Sequence, residues 1–160
     1  MEKILDKDPV KRVKEIIIKF DSSLKVIILS NASRTAKEAA NSLNCDVGAI
    51  VKSLLLKAQE SFLICLVAGD KRCSLSKLKK ILKKKDVRMA SAEEVKENTG
   101  FSIGGVSPVG HIKHLDILID ESLNRFKSIF AAAGHPNCVF KINYNELIRL
   151  TNGSEKEISE

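Results

Sequence analysis

Tryptophan is absent from this chain of 160 residues, and tyrosine occurs once, at Tyr144. Phe, Trp and Tyr together make up 4% of the sequence, too little to stack many splayed nucleobases. The three prolines are scattered, and no low-complexity linker divides the chain. The four cysteines, Cys45, Cys65, Cys73 and Cys138, lie far apart and form no Cys-x-x-Cys pair. The ligand spacings of structural zinc sites are therefore missing, and the thiols read as reduced. Cys65 and Cys138 sit inside apolar runs and read as core. No apolar run approaches the roughly 18–20 residues that span a bilayer. The opening stretch, Met1-Glu2-Lys3-Ile4-Leu5-Asp6, lacks a signal-peptide core. The expectation is a soluble, cytoplasmic protein with no membrane partner. A Ser/His/Asp set, paired carboxylates and a phosphate-loop motif are also missing, and no cofactor is implied.

What is present fits one domain, with 44% hydrophobic residues and enough chain for a real core. The net charge of +7 permits an acidic partner such as nucleic acid, bound by phosphate neutralisation and counterion release. With so few aromatics, contacts to phosphates and to one end of the nucleic acid are expected.

Hydrophobic periodicity sets the elements. Asp8-Pro9 opens a helix, with Val10, Val13, Ile17 and Phe20 at helical spacing. Residues 24–29 read as a strand. Thr35-Ala36-Lys37-Glu38 has capping-box spacing, ahead of a small-residue face of Ala36, Ala39, Ala40 and Leu43. Residues 50–57 and 61–68 predict an antiparallel hairpin. Residues 74–85 predict an amphipathic helix carrying six lysines and no acid, including Lys77, Lys80 and Lys84. Its polar face reads either as a solvated surface or as an RNA contact. Residues 87–89, 115–119, 128–133 and 138–142 read as strands, 134–137 as a turn. Capped helices are expected over 91–99 and 143–150, ended by Gly100 and Gly153. The acidic tail 154–160 is expected to fray, leaving 1–153 as the domain. Irregular interleaving with a hairpin argues for an α+β fold with a mixed sheet.

Two features carry chemistry. The stretch Phe101-Ser102-Ile103-Gly104-Gly105-Val106-Ser107-Pro108-Val109-Gly110-His111 holds three of the eight glycines and no charge. It reads either as a tight connection or as a shaped loop whose backbone N–H groups face a ligand oxygen. Lys52 interrupts an apolar strand, sharing one face with Ile50, Leu54 and Leu56, while Ser53 shares the other with Val51 and Leu55. A lysine there must snorkel, lower its pKa or find an anion. His111, His114 and His135 suggest nothing definite.

Three segments together resemble the YbaK/ProX family of trans-editing aminoacyl-tRNA deacylases, relatives of the prolyl-tRNA synthetase editing domain. They are Thr35 to Ala40 with Val47 to Leu54, Thr99 to His111, and Ile119-Asp120-Glu121 through Ala133-Gly134. The resemblance covers residues 20–152. It implies a single compact α+β domain with a barrel-like mixed sheet and flanking helices. It also implies hydrolysis of the ester joining a wrong amino acid to the tRNA 3′ end, with no cofactor. The family's lysine falls on Lys52, its Gly-x-x-x-Pro motif on Gly104 to Pro108, and its second glycine turn on Gly134.

On that basis Lys52, Gly104, Gly105 and Val106 are expected to be catalytic, with Lys52 positioning the ester and the loop N–H groups stabilising the oxyanion. Asn31, Arg34, Ser53, Ser107, Pro108 and Gly134 are expected to bind substrate, and Lys77, Lys80 and Lys84 to contact tRNA. No metal is expected. The apolar run Ala131-Ala132-Ala133 departs from the cysteine-specific branch and suits alanine or 2-aminobutyrate, with serine, threonine or cysteine also open. The expected partners are the acceptor end of aminoacyl-tRNA and prolyl-tRNA synthetase, with a monomer favoured. The alternatives are a non-catalytic tRNA- or synthetase-binding module of the same fold and a small-molecule hydrolase.

Overall fold

The computed structural model describes residues 3–30 and 35–160. Helix α1 (Asp8–Phe20) begins with Pro at its first turn and buries Val10, Val13 and Ile17. Each such side chain contributes about 1.5–3 kcal/mol. Strand β1 (Val26–Ile28) and helix α2 (Ala36–Leu43) follow, the helix capped by the Thr35 hydroxyl, which accepts from the Glu38 N–H. Strands β2 (Ile50–Ala58) and β3 (Ser61–Ala68) form the expected hairpin. Helix α3 (Leu75–Leu82) stops one turn earlier than its lysines suggested, because Lys83 takes a left-handed conformation. Strand β4 (Val87–Met89) leads to helix α4 (Ala92–Thr99), which carries a complete capping box between Ser91 and Glu94. Strands β5 (Asp116–Asp120), β6 (Ile129–His135) and β7 (Cys138–Ile142), helix α5 (Tyr144–Thr151) and strand β8 (Ser154–Lys156) complete the chain.

The eight strands of the described residues form one mixed sheet in the order β1-β7-β6-β2-β3-β5-β8, with β4 added to β2. It curls into a half-barrel, and its concave side holds the main core around Ile64, Leu66, Phe101 and Phe140 under α1. A second cluster, with Leu56, Cys65 and Leu78, lies beneath α3. The fold is thus the single α+β domain that the resemblance implies. No helix among the described residues is long and apolar enough to cross a membrane.

Strand β2 has an interrupted edge. β6 runs parallel to it only at Ile50 and Val51, and β4 runs antiparallel only from Leu56 to Ala58. β6 leaves because a bulge between Ala132 and His135 bends it away. Gly134 lies in that bulge, with φ +92, rather than in the turn expected over 134–137. A Cβ there would stand 2.7 Å from the Pro9 carbonyl oxygen, so the missing side chain lets the start of α1 rest on the bulge.

The C-terminal tail does not fray. β8 pairs with β5, and Ile158 is fully buried. The buried Asp120 carboxylate accepts from the N–H of Ile158 at 2.8 Å, the N–H of Ser159 at 3.1 Å and the Ser122 hydroxyl. Burial pushes this carboxyl up, but those hydrogen bonds outweigh it and hold it below its ordinary range. Sequence polarity hid this anchor, because the tail's binding groups are main-chain N–H donors. Helix α5 likewise ends at Asn152 in the left-handed conformation, one residue before the expected glycine. Asp120→Ala strands these buried donors and is expected to lower the unfolding free energy by about 2–3 kcal/mol in urea titration.

Candidate active site

The interrupted stretch of β2 opens into a cavity of about 370 Å³. Its floor is residues 50–55 of β2. One wall comes from Phe130 and Ala132 of β6, with Pro136 and Val139 beyond the bulge. Thr35, Ala36 and Ala39 of α2 form a second. Met89, Ala90 and Val95, from β4 to α4, form a third, and Ile103, Gly104 and Val106 close the rim. Among the described residues, no carboxylate lines it. Met89 and Ile103 are 47% and 62% exposed, an unusual place for large apolar side chains.

The glycine-rich stretch is a folded loop against this cavity. The Gly105 N–H donates to the Ser102 carbonyl at 2.9 Å, closing a four-residue turn with Gly104, φ +92, at its third position. A positive φ there is what a type II turn demands. Gly104 and Val106 face the cavity. Gly105 does not: its N–H is committed inside the turn, and a Cβ on it would lie 3.0 Å from the His135 Cα. Ser107 and Pro108 are buried behind the loop and do not line the cavity. The Ser107 hydroxyl accepts from the Val109 N–H at 3.2 Å.

Helix α1 holds the loop from behind. Arg12 Nε donates to the Gly110 carbonyl at 2.6 Å, and its guanidinium lies 4.8 Å from the centre of the Phe101 ring. Its Nη2 is buried without a hydrogen-bond partner. His111 stands edge-on to Phe101 and donates from Nε2 to the Ser107 carbonyl at 2.7 Å. Burial pushes the His111 pKa down, opposed by that hydrogen bond and reinforced by Arg12. His111 is thus a neutral strut of the loop.

Lys52 and Ser53 both belong to the cavity floor but point to opposite faces of β2, as alternation predicts. Lys52 Nζ donates to the Lys71 carbonyl. Burial lowers its pKa, and the Asp70 carboxylate opposes that shift. One of its three donors is thus used by a neutral acceptor. The Ser53 hydroxyl lies inside, shielded from solvent and without a hydrogen-bond partner.

Other expected site residues lie elsewhere. Gly134 faces Pro9 rather than the cavity. Lys77 binds the tail, through Glu157 at 2.9 Å and the Ser159 carbonyl at 2.6 Å. Lys80 is exposed on the same helix, and Lys84 is half-buried just beyond its end. Asn31 and Arg34 fall outside the described residues. Sequence reasoning missed Met89, Ala90, Val95 and Phe130, whose approach to the cavity depends on long-range packing. Among the described residues, no cluster of His, Cys, Asp or Glu could hold a metal ion.

An interrupted half-barrel, a lysine beside its open edge and a glycine turn on its rim thus form one candidate site, and comparison with known proteins gives the family of the domain that carries it. Residues 30–150 match the family model described as the aminoacyl-tRNA editing domain. The chain belongs to that family.

A solved structure described as a candidate trans-editing enzyme for prolyl-tRNA synthetase superposes with a TM-score of 0.90 at 37% identity, covering 96% of this chain and 98% of that one. The proline–tRNA ligase of Thermosipho africanus is 36% identical over 112 residues, 70% of this chain but only 20% of the ligase. This chain therefore spans about a fifth of that relative's length. YwhH of Bacillus subtilis is 34% identical over 72% of this chain and 74% of its own. EbsC of Enterococcus faecalis, named as a candidate Cys-tRNA(Pro)/Cys-tRNA(Cys) deacylase, is 27% identical over 78% of this chain and 77% of its own.

The buried His111 gives the fold a pH dependence. Its lowered pKa means that the unfolded chain takes up a proton below about pH 6.5 that the folded chain resists. This contribution is full above that pH and is lost as pH falls, by at most about 1.4 kcal/mol per pH unit. His111→Gln keeps a donor for the Ser107 carbonyl without titrating. Urea titrations between pH 7 and 5 are expected to show a shallower loss of stability in this variant.

Proposed function

We infer that this protein is a trans-acting deacylase that removes a small uncharged amino acid from mischarged tRNA, with tRNA(Pro) as the favoured carrier. The observation that carries this reading is the cavity itself: about 370 Å³, apolar on three sides and, among the described residues, free of carboxylates. It suits a short neutral side chain and offers no counter-charge to a basic one. Alanine and 2-aminobutyrate fit walls made of Ala132, Val139 and Phe130. Serine, threonine and cysteine fit with the Ser53 hydroxyl as their polar neighbour. Apolar walls separate side chains by only about 1–3 kcal/mol per methylene, so a range of substrates is expected.

Hydrolysis adds water across the ester. The water oxygen bonds to the carbonyl carbon, the bond to the ribose 3′-oxygen breaks, and that oxygen gains a proton. The leaving group is a sugar hydroxyl, so positioning and oxyanion stabilisation suffice without a triad. Lys52 is assigned to the terminal phosphate or ribose, exchanging the Lys71 carbonyl for that anion. Val106 and Gly104 are assigned to the rim that orders the acyl group. Exposed lysines of α3, Lys80 foremost, are assigned to tRNA phosphates. The similarity to proline–tRNA ligases supports prolyl-tRNA synthetase as a functional partner.

A panel of mischarged tRNAs tests the reading. Wild-type protein is expected to release the small neutral amino acids, and Lys52→Ala to lose at least about 100-fold in rate. Release from none of them leaves a binding module. In the same assay, Lys80→Gln with Lys84→Gln is expected to raise KM and flatten its salt dependence, as lost phosphate contacts require.

A further inference from the structure

The gap in β2 exposes more than side chains. Along a strand the N–H and C=O of one residue point to the same edge, and successive residues alternate between edges. The Ile50 carbonyl accepts from the Gly69 N–H, at 2.8 Å, on the β3 side. The Leu55 carbonyl accepts from the Ala90 N–H, at 3.0 Å, on the opposite side. Ser53 has the parity of Leu55, so its N–H and C=O point away from β3. β6 has parted from β2 after Val51, and β4 joins only at Leu56. No described strand pairs with that edge at Ser53. The open residue lies on the cavity floor, beside Val106 and Gly104 of the rim turn.

An open strand residue has a specific complement. In a hydrogen-bonded antiparallel pair, two residues exchange both N–H···O bonds. The partner needs one donor nitrogen and one carbonyl on the same Cα. An aminoacyl ester carries that set, an α-ammonium and an ester carbonyl.

We propose that the aminoacyl group of the substrate pairs with the main chain of Ser53, filling the gap between β6 and β4 as a one-residue strand. The Ser53 N–H donates to the ester carbonyl oxygen, and the Ser53 carbonyl accepts from the α-ammonium. The N–H is then in place for the oxyanion that forms when water attacks. This replaces the Gly105 N–H, which the Ser102 carbonyl already holds. The pairing recognises the part common to all amino acids and leaves their side chains to the cavity walls.

This proposal rests on the deacylase reading, and the test separates the two. Nonsense suppression places lactic acid at position 53, replacing the N–H by an ester oxygen, with Ser53→Ala as the reference of matching side chain. No described strand uses this N–H, so circular dichroism and urea midpoint are expected to stay close to those of Ser53→Ala. The deacylation rate is expected to fall about 100-fold or more below it, the loss typical of one oxyanion donor. As a second readout, 3′-alanylamino-3′-deoxyadenosine, which cannot be hydrolysed as an ester, is expected to slow hydrogen exchange of the Ser53 amide in the wild-type protein. Lactate at 53 as active as Ser53→Ala, or unchanged Ser53 exchange with the analogue, overturns the proposal while leaving the deacylase reading intact. Wild-type protein inactive on every mischarged tRNA overturns both.

Discussion

The pairing of β2 governs this molecule. A central strand normally satisfies both edges along its length. Here β3 covers one edge throughout, while the other is shared by β6 at one end and β4 at the other. Keeping those two apart occupies much of the remaining architecture. The bulge at Gly134 turns β6 away, and α1 sits on the bulge through Pro9. The Ser91 capping box fixes the start of α4, which carries Val95 into the cavity wall. The opening is thus held by ordinary packing on either side rather than by strain at the site.

Behind the rim, charge and shape work together. Arg12 reaches from α1 to the Gly110 carbonyl and lies against Phe101, while His111 spans back to Ser107. These contacts tie the loop to the same helix that supports the bulge, so both sides of the cavity refer to one rigid element. On the outer face, Lys52 reaches the Lys71 carbonyl, in a segment that the tail fastens through antiparallel main-chain pairing of Ser159 with Cys73 and the Glu160 N–H bond to the Arg72 carbonyl.

Local patterns were legible in the sequence. The hairpin, the capped helices and the opposite directions of Lys52 and Ser53 follow from periods of 3.6 and 2. The Gly104 turn could be singled out from composition alone. Non-local facts were not legible. That β6 and β4 flank β2 with a space between depends on contacts about thirty to eighty residues apart in sequence. Gly134 looked like turn chemistry because a bulge and a turn both favour glycine. The tail looked solvated because its anchoring groups are main-chain N–H donors, which every sequence has. Lys77 looked like one lysine among six, and only the folded tail gives it partners.

Main-chain groups have one further consequence. A side-chain catalyst is lost by a single codon change, whereas an N–H on an open strand edge survives every substitution except proline. On the proposed pairing, Met89, Val95, Ile103 and Ala132 can vary, each reshaping the cavity, while the polar groups beneath them persist. A site built this way can drift from one amino acid to another through active intermediates. Specificity then changes, on the proposed pairing, through the cavity walls alone.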